Sequence, residues 1–328
     1  MHAMTVDAGH NLHWVEVPDP IAGPGEVLID IHATALNRAD LLQRAGKYPP
    51  PPGWPEWMGL EVAGRVLSAP AKSRWAKGDR VCALLGGGGY AEQINVPEDM
   101  VLPIPAGLSM SEAAALPEVY ATAYLNLFLE ADLKPGETVL VQAGASGLGI
   151  AAIQLAKAFG AKVMTTVGSD AKAEAVRQLG ADIVINRKTG DLGKAMDEHP
   201  VNIVLDCAGG AELGKNLEKL APGGRWILIA TLGGETCDIA LRPILKRGLR
   251  LIGSTLRSRS NSMKGRILAE LEQRVWPKIE SGTIRPLMYT VLPIAEADAA
   301  HAILSRNENT GKVALVIKPE HDAGVRAG

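Results

Sequence analysis

Three glycines pose the first chemical question. In residues 139–149, VLVQAGASGLG, the glycines Gly144, Gly147 and Gly149 follow the spacing GxxGxG. An apolar run precedes them, and Leu148, Ala152, Leu155 and Phe159 recur behind them at helical spacing, up to a C-cap signal at Gly160. Glycines at a strand-to-helix turn let the chain bend tightly and let backbone N–H groups at the helix N-terminus approach a pyrophosphate. The spacing departs from the commoner GxGxxG, and glycine turns also arise there for structural reasons alone. What favours a dinucleotide is context, because the turn opens a run of about six strand–helix units. Ala145, Ser146 and Leu148 complete the expected cradle, with the Ser146 hydroxyl a candidate to reach cofactor or substrate, or simply to stabilise the loop.

A second position bears on which dinucleotide is bound. An acid about 20 residues further on would accept hydrogen bonds from a ribose 2′-OH. Here the strand KVMTTV ends in Gly168 and Ser169, with no carboxylate at the tip. Lys172 follows one helical turn on and Arg187 follows the third strand in VINRKTGD, both placed to meet a 2′-phosphate. NADPH is therefore expected over NADH. Asp170 argues the other way unless its side chain turns aside, and both cations also read as solvated surface charges.

The elements that must position these residues divide by texture. The first ~118 residues are broken by turn formers such as PDPIAGPGEV, YPPPPGWP and GGGGYAE between short alternating runs, which reads as an irregular β-rich domain. From KPGETVLVQ onward strand and helix alternate, which means a doubly wound parallel sheet. From about Ser262 the alternation stops. One helix is predicted over KGRILAELEQRVWPKIESG, then the strands YTVLPI and KVALVI, which are expected to return to the first domain.

Bulk properties narrow the partners. With 328 residues, two domains are expected, and a hydrophobic share of 47% against 21% charged residues suits a globular protein with a sizeable core. The formal charge of −2, without basic or acidic blocks, favours a small-molecule ligand over nucleic acid or an anionic membrane. The N-terminus shows no targeting pattern and no run is long and apolar enough to span a bilayer, so a cytoplasmic protein is expected. Cys82, Cys207 and Cys237 are widely spaced and form no CxxC, which predicts reduced thiols rather than disulfides or a thiolate metal site. The seven histidines, His321 included, form no metal-spaced pair.

The runs VPDPIAGPGEVLIDIHATALNRADLLQRAGKYPPPPG, MGLEVAGRV, GDRVCALLGGGGYAE, AGASGLG, LDCAGG, GGRWILIATLGG, TLRSRS and NTGKVAL together span nearly the whole chain. In these the sequence resembles the medium-chain dehydrogenase/reductase superfamily, and within it the zinc-independent quinone oxidoreductases, closest to the p53-inducible quinone oxidoreductase branch. The glycine loop is shared by the whole superfamily; LNRADLLQR with a following tyrosine, and LRSR, are more specific. The resemblance implies an α/β architecture: a GroES-like β-rich catalytic domain at 1–118 and 262–328, with a Rossmann doubly wound parallel sheet domain inserted at 119–261.

The same resemblance implies roles. At the positions where zinc alcohol dehydrogenases hold their catalytic metal, this chain carries Asn37, Leu60 and, approximately, Glu118. An amide and a leucine cannot replace a thiolate and an imidazole, so no tetrahedral zinc is expected. Asn37 matches the family's nicotinamide-side asparagine, with a helix-capping role open beside it; Tyr48 matches a tyrosine over the cleft, with packing against the proline run as its alternative. Asp40 and Glu61 are expected as hydrogen-bond anchors. Thr231 and Leu232, Leu256 and Arg257 in GSTLRSRS, and Lys312 are expected near the cofactor, although Arg257 and Arg259 also read as a basic surface loop and Lys312 as a solvated lysine in a turn. Relatives often carry a tyrosine where Arg187 stands. Trp54 and Trp57 either shape an aromatic pocket or pack in the core.

Without a Lewis acid, alcohol oxidation is disfavoured, whereas a quinone accepts hydride readily and needs mainly near-attack positioning. NADPH-dependent quinone reduction is the expected reaction. Reduction of α,β-unsaturated carbonyl compounds is the alternative within the class, and a non-catalytic NADPH-binding sensor the alternative outside it. The strand LRLIGSTL, at a sheet edge, suggests a homodimer, with a homotetramer as the larger assembly.

Overall fold

Two sheets of opposite character account for the architecture, in a computed structural model that describes residues 1–320; His321 lies outside the described residues. The chain divides into two compact units. One comprises Met1–Glu118, Ser260–Glu280 and the chain from Pro286 on; the other comprises Val119–Arg259 and Ser281–Arg285.

In the first unit, strands β1 (His2–Val6) and β2 (Leu12–Glu16) form an antiparallel hairpin. The next strands are β3 (Glu26–Ala35), β4 (Glu61–Ser68), β5 (Arg80–Leu84), β6 (Gln93–Pro97) and β7 (Val101–Pro103). In β3, Val27, Ile29, Ile31 and Ala33 are buried at alternate positions, the period of a strand with one face in the core. β3 pairs antiparallel with β4 and with β6.

The second unit holds β8 (Thr138–Val141), β9 (Lys162–Val167), β10 (Ile183–Asn186), β11 (Ile203–Asp206), β12 (Arg225–Leu228) and β13 (Arg250–Gly253). All pair in parallel, in the order β10-β9-β8-β11-β12-β13. This is the doubly wound order 3-2-1-4-5-6, whose ligand crevice lies beyond the strand C-termini where the order reverses. Val139, Leu140, Ile203, Val204 and Ile227 are buried on consecutive or facing positions, because helices cover both faces of such a sheet. Trp226 anchors the centre, its indole N–H donating to Asp206 at 2.8 Å.

The chain then returns to the first unit, where β14 (Met288–Pro293) pairs in parallel with β15 (Lys312–Val316), and β15 runs antiparallel to β3. The single helix predicted before them is two helices, Asn261–Arg274 and Trp276–Glu280. Pro277 is the reason: it has no N–H to continue the ladder and is tolerated only in a first turn, so the chain stops and restarts around it. Cys82, Cys207 and Cys237 are free thiols. Among the described residues, no helix is long and apolar enough to cross a membrane.

Candidate active site

The glycine turn leaves β8 under strain. Ala143 adopts a positive φ of 53°, a conformation few non-glycine residues take. Its N–H donates to Thr166 Oγ1 at 3.2 Å, and the Gly144 N–H donates to the Thr166 carbonyl at 2.9 Å, so the turn is pinned to the end of β9. A Cβ on Gly144 would overlap the Thr165 hydroxyl, and one on Gly149 would overlap the Ala143 carbonyl; both glycines are dictated by this close approach. Ser146 is the N-cap of the helix Gly147–Ala158, and its Oγ accepts the Gly149 N–H at 3.0 Å. The N–H groups of Gly147 and Leu148 have no intrahelical carbonyl to meet, and the helix dipole adds positive character there. Ala145 is buried beneath the turn. These donors fit a pyrophosphate.

At the end of β9 two cations meet. A Cβ built on Gly168 would lie 3.6 Å from Arg187 Nη2, which places the guanidinium beside the strand tip. The Arg187 N–H donates to the Val167 carbonyl at 2.9 Å, fixing its backbone to that tip. Lys172 is half-buried, and desolvation together with the nearby Arg187 charge lowers its pKa. Ser169 caps the helix Asp170–Gln178. Asp170 is turned aside: its carboxylate accepts from Asn186 Nδ2 at 2.8 Å.

The other cofactor candidates are placed as follows. Thr231 and Leu232 are exposed after β12, but the Leu232 N–H is committed to the Cys207 carbonyl at 3.2 Å. Leu256 is buried and its carbonyl accepts from Arg259 at 3.0 Å, while Arg257 is half-buried. The Arg259 guanidinium pairs with Glu130 at 2.6 Å, which orders this loop within its own unit.

In the first unit a buried ionic cluster joins Asn37, Glu61 and Lys312. Lys312, only 5% exposed, donates to the Leu36 carbonyl at 2.7 Å, to Asn37 Oδ1 at 2.9 Å and to Glu61 Oε1 at 2.6 Å. An ammonium has three protons, and all three are engaged. Lys312 is thus not the solvated lysine of a turn, and that expectation is corrected. Asn37 Nδ2 also donates to Glu61 Oε1 at 2.9 Å, and the Glu118 N–H donates to Glu61 Oε2 at 2.8 Å. Asn37 precedes the helix Arg38–Arg44 as its N-cap, where its N–H meets Asp40 Oδ2 at 2.7 Å. The capping role and a fixed amide coexist in one residue.

Asp40 also accepts from the Gly59 N–H at 3.2 Å and from the Tyr90 hydroxyl at 3.4 Å, and that hydroxyl lies 3.2 Å from His301 Nε2. Burial raises the Asp40 carboxyl to about 6, against the hydrogen bond from Asn37 and the Lys312 charge. Burial lowers His301 to about 4. Glu118 is pushed up to about 8, first by desolvation and then by the Glu61 charge. Tyr48 is half-buried in the bend after the helix Arg38–Arg44. Trp57 donates to the Gly88 carbonyl at 3.0 Å and the Trp54 indole lies against Gly86, which makes both packing residues.

Zinc does not fit the positions considered for it. Leu60 offers no donor atom, and both polar atoms of the Asn37 amide are held by Glu61 and Lys312. Among the described residues no group of three or more metal-ligating side chains converges. Sequence reasoning missed Tyr90, His301 and Thr166. Only Thr166 carried a local signal, a hydroxyl near the end of the strand beside the glycine turn.

Comparison with known proteins adds to this geometry. Residues 147–273 match the family described as zinc-binding dehydrogenase, and residues 23–106 match the alcohol dehydrogenase GroES-like domain. The quinone oxidoreductase of Sus scrofa is 32% identical over 309 residues, covering 92% of each chain. Among solved structures, the quinone oxidoreductase from Thermus thermophilus, determined also in complex with NADPH, is similar with a TM-score of 0.82 and 34% identity, over 97% of this chain and 100% of that one. JamJ enoyl reductase is similar with a TM-score of 0.85 and 26% identity, over 97% and 99%.

Proposed function

The chain belongs to the medium-chain dehydrogenase/reductase superfamily, in its quinone oxidoreductase branch, and we propose that it reduces quinones with NADPH and without a metal. The observation that carries this reading is the pair Lys172 and Arg187 past the ends of β9 and β10, two like charges that act on one another, with Arg187 beside Gly168 and Asp170 turned aside. Lys172 is half-buried and Arg187 exposed; like charges held near one another repel, and an added dianionic phosphate relieves both. NADH carries no such group.

NADPH held at this turn would supply the hydride, two electrons with one hydrogen nucleus. The Gly147 and Leu148 N–H groups would hold its pyrophosphate, and Ser146 keeps the turn in shape through Gly149. Tyr48 and Asn37 orient the acceptor. The Asn37 amide presents a fixed face, because Glu61 takes its N–H and Lys312 its oxygen. The resemblance to JamJ enoyl reductase favours a second reading, hydride addition to an α,β-unsaturated carbonyl compound.

A homodimer is part of the proposal. β13 is an edge strand with Leu251 43% exposed, and the helix Leu241–Arg247 leaves Leu241 and Leu245 70% and 82% exposed. The free thiols suit a reducing cytoplasm. The test is NADPH and NADH oxidation followed by nicotinamide absorbance with 1,4-benzoquinone, a 1,2-naphthoquinone and an enone. Fast NADPH-dependent quinone turnover supports the proposal, and turnover with the enone alone moves it to the second reading. Binding of NADPH with no turnover would mean a sensor. Sedimentation showing only monomer would remove the dimer.

A further inference from the structure

The Gly147 and Leu148 N–H groups suit a pyrophosphate, and Lys172 with Arg187 a 2′-phosphate, but a side chain at the head of the same turn is left over. Gln142 follows the last residue of β8 and is only 9% exposed. Its Nε2 is shut off from solvent and has no hydrogen-bond partner among the described residues. An amide N–H buried without an acceptor costs free energy, so such groups are rare in folded proteins and call for a reason.

The strand register places this amide where the sheet reverses its order. Val141 pairs with Thr165 of β9 and with Leu205 of β11, and the Gln142 N–H continues the ladder to the Leu205 carbonyl at 3.0 Å. β8 and β11 are the strands from which the order runs outward, to β9 and β10 on one side and to β12 and β13 on the other. Side chains alternate between faces, so Gln142 shares the face of Leu140, one row beyond Met164, Leu140 and Val204. That next row, at the C-terminal edge of the sheet, is Thr166, Gln142 and Asp206. Its outer members are engaged: Thr166 Oγ1 accepts the Ala143 N–H at 3.2 Å, and Asp206 accepts the Ala208 N–H at 2.6 Å and the Trp226 indole N–H at 2.8 Å. The middle member is the unsatisfied one. A dinucleotide with its 2′-phosphate beyond β9 and β10 and its pyrophosphate on the helix Gly147–Ala158 carries its other sugar past the end of β8 toward β11.

We propose that Gln142 is a cofactor contact, its Nε2 donating to an oxygen on the nicotinamide side of the sugar–pyrophosphate chain, the part that NADPH and NADH share. This rests on the reading of the glycine turn as a dinucleotide site and is independent of the acceptor. The chemistry matches: an amide nitrogen only donates, and ribose hydroxyls and phosphates present oxygens that accept. The amide is already out of water before the cofactor arrives, so the new hydrogen bond carries no further desolvation cost for the protein donor. The unpaired donor is thus a cost in the free protein that binding removes.

The experiment has two readouts for the wild type, Gln142→Met and Gln142→Glu: titration calorimetry with NADPH, NADH and adenosine 2′,5′-bisphosphate, and thermal melts with no ligand added. Gln142→Met keeps the length of the side chain and removes the donor. It should weaken NADPH and NADH alike by about tenfold, the upper end for one neutral hydrogen bond, and leave the bisphosphate, which lacks the nicotinamide half, within about twofold. Without ligand it should melt no lower than the wild type, because it gives up an unpaired donor and no hydrogen bond. Gln142→Glu keeps the size but sets a carboxylate toward the phosphates, and should weaken both dinucleotides further. A ligand-free melt of Gln142→Met below the wild type would mark the amide as structural, satisfied by an internal water, and overturns the assignment. Unchanged dinucleotide affinities overturn it too, and so does an equal loss for the bisphosphate, which would mean a distorted turn. In each of these cases wild-type binding leaves the dinucleotide reading standing. A wild type that binds neither NADPH nor NADH overturns that reading, and the assignment with it.

Discussion

Replacing Lys172 or Arg187 by alanine should separate the two nicotinamide cofactors. The Lys172 ammonium is partly desolvated and repelled by the Arg187 guanidinium, which lies 3.6 Å from where a Gly168 Cβ would stand. A 2′-phosphate between them forms a charge-assisted hydrogen bond with each, worth about 1.5–3 kcal/mol. At about 1.4 kcal/mol per decade, each alanine variant should weaken NADPH binding about 10- to 150-fold and leave NADH within about threefold. Removing one cation also frees the other from repulsion, so the double variant should lose less than the sum of the two. Gly168→Asp is the converse change. The position has ordinary van der Waals room and no positive φ, so a carboxylate there can face a ribose 2′-OH, repel a phosphate and turn the preference toward NADH. Fluorescence titrations with both cofactors at low and high salt provide the assay, and the NADPH advantage should shrink as salt screens the charges. Equal losses for NADPH and NADH, or none for NADPH, would refute the reasoning.

Further outcomes follow from the buried groups. Lys312→Met strips the partner from a fully buried Glu61 and should cost about 3–5 kcal/mol in urea unfolding, much of it recovered by adding Glu61→Leu; a loss that the second change leaves intact would contradict this. Asp40, at about 6 in the folded protein and ~3.9 unfolded, takes up a proton on folding between these values, so it adds stability as pH falls from 6 to 4. His301, at about 4 folded and ~6.5 unfolded, removes stability as pH falls through the same interval, and the two slopes oppose. Thermal melts should show Asp40→Asn losing stability on acidification and His301→Gln gaining it; slopes of the same sign in both variants would rule out this coupling. Ser146→Ala removes the acceptor of the Gly149 N–H and should cost about 1 kcal/mol while weakening NADPH and NADH alike. A loss confined to turnover would instead place the hydroxyl at the substrate.

What was legible in the sequence depended on how local the determining contact is. The turn at residues 143–149 was readable because its strand, glycines and helix adjoin in sequence, and the parallel sheet because strand and helix periods alternate. Lys172 and Arg187 could be paired because parallel strands bring successive C-termini to one edge: β9 and β10 are neighbours, and each carries one cation just past its end. Pro277 was visible too, but the apolar pattern running across it concealed a break that its missing N–H imposes. Lys312 shows the opposite case. In NTGKVAL it has the local context of a turn lysine, while the groups that bury it, Glu61 and Asn37, lie 251 and 275 residues away. Tyr90 and His301 are 211 residues apart and meet Asp40 from a third segment. A buried charge is tolerable only with its partners in place, so its character belongs to the assembled cluster, and neighbours in sequence carry almost no trace of it. Glu118 depends on the same cluster, since burial raises its pKa first and the Glu61 charge that adds to it comes from a residue 57 positions away.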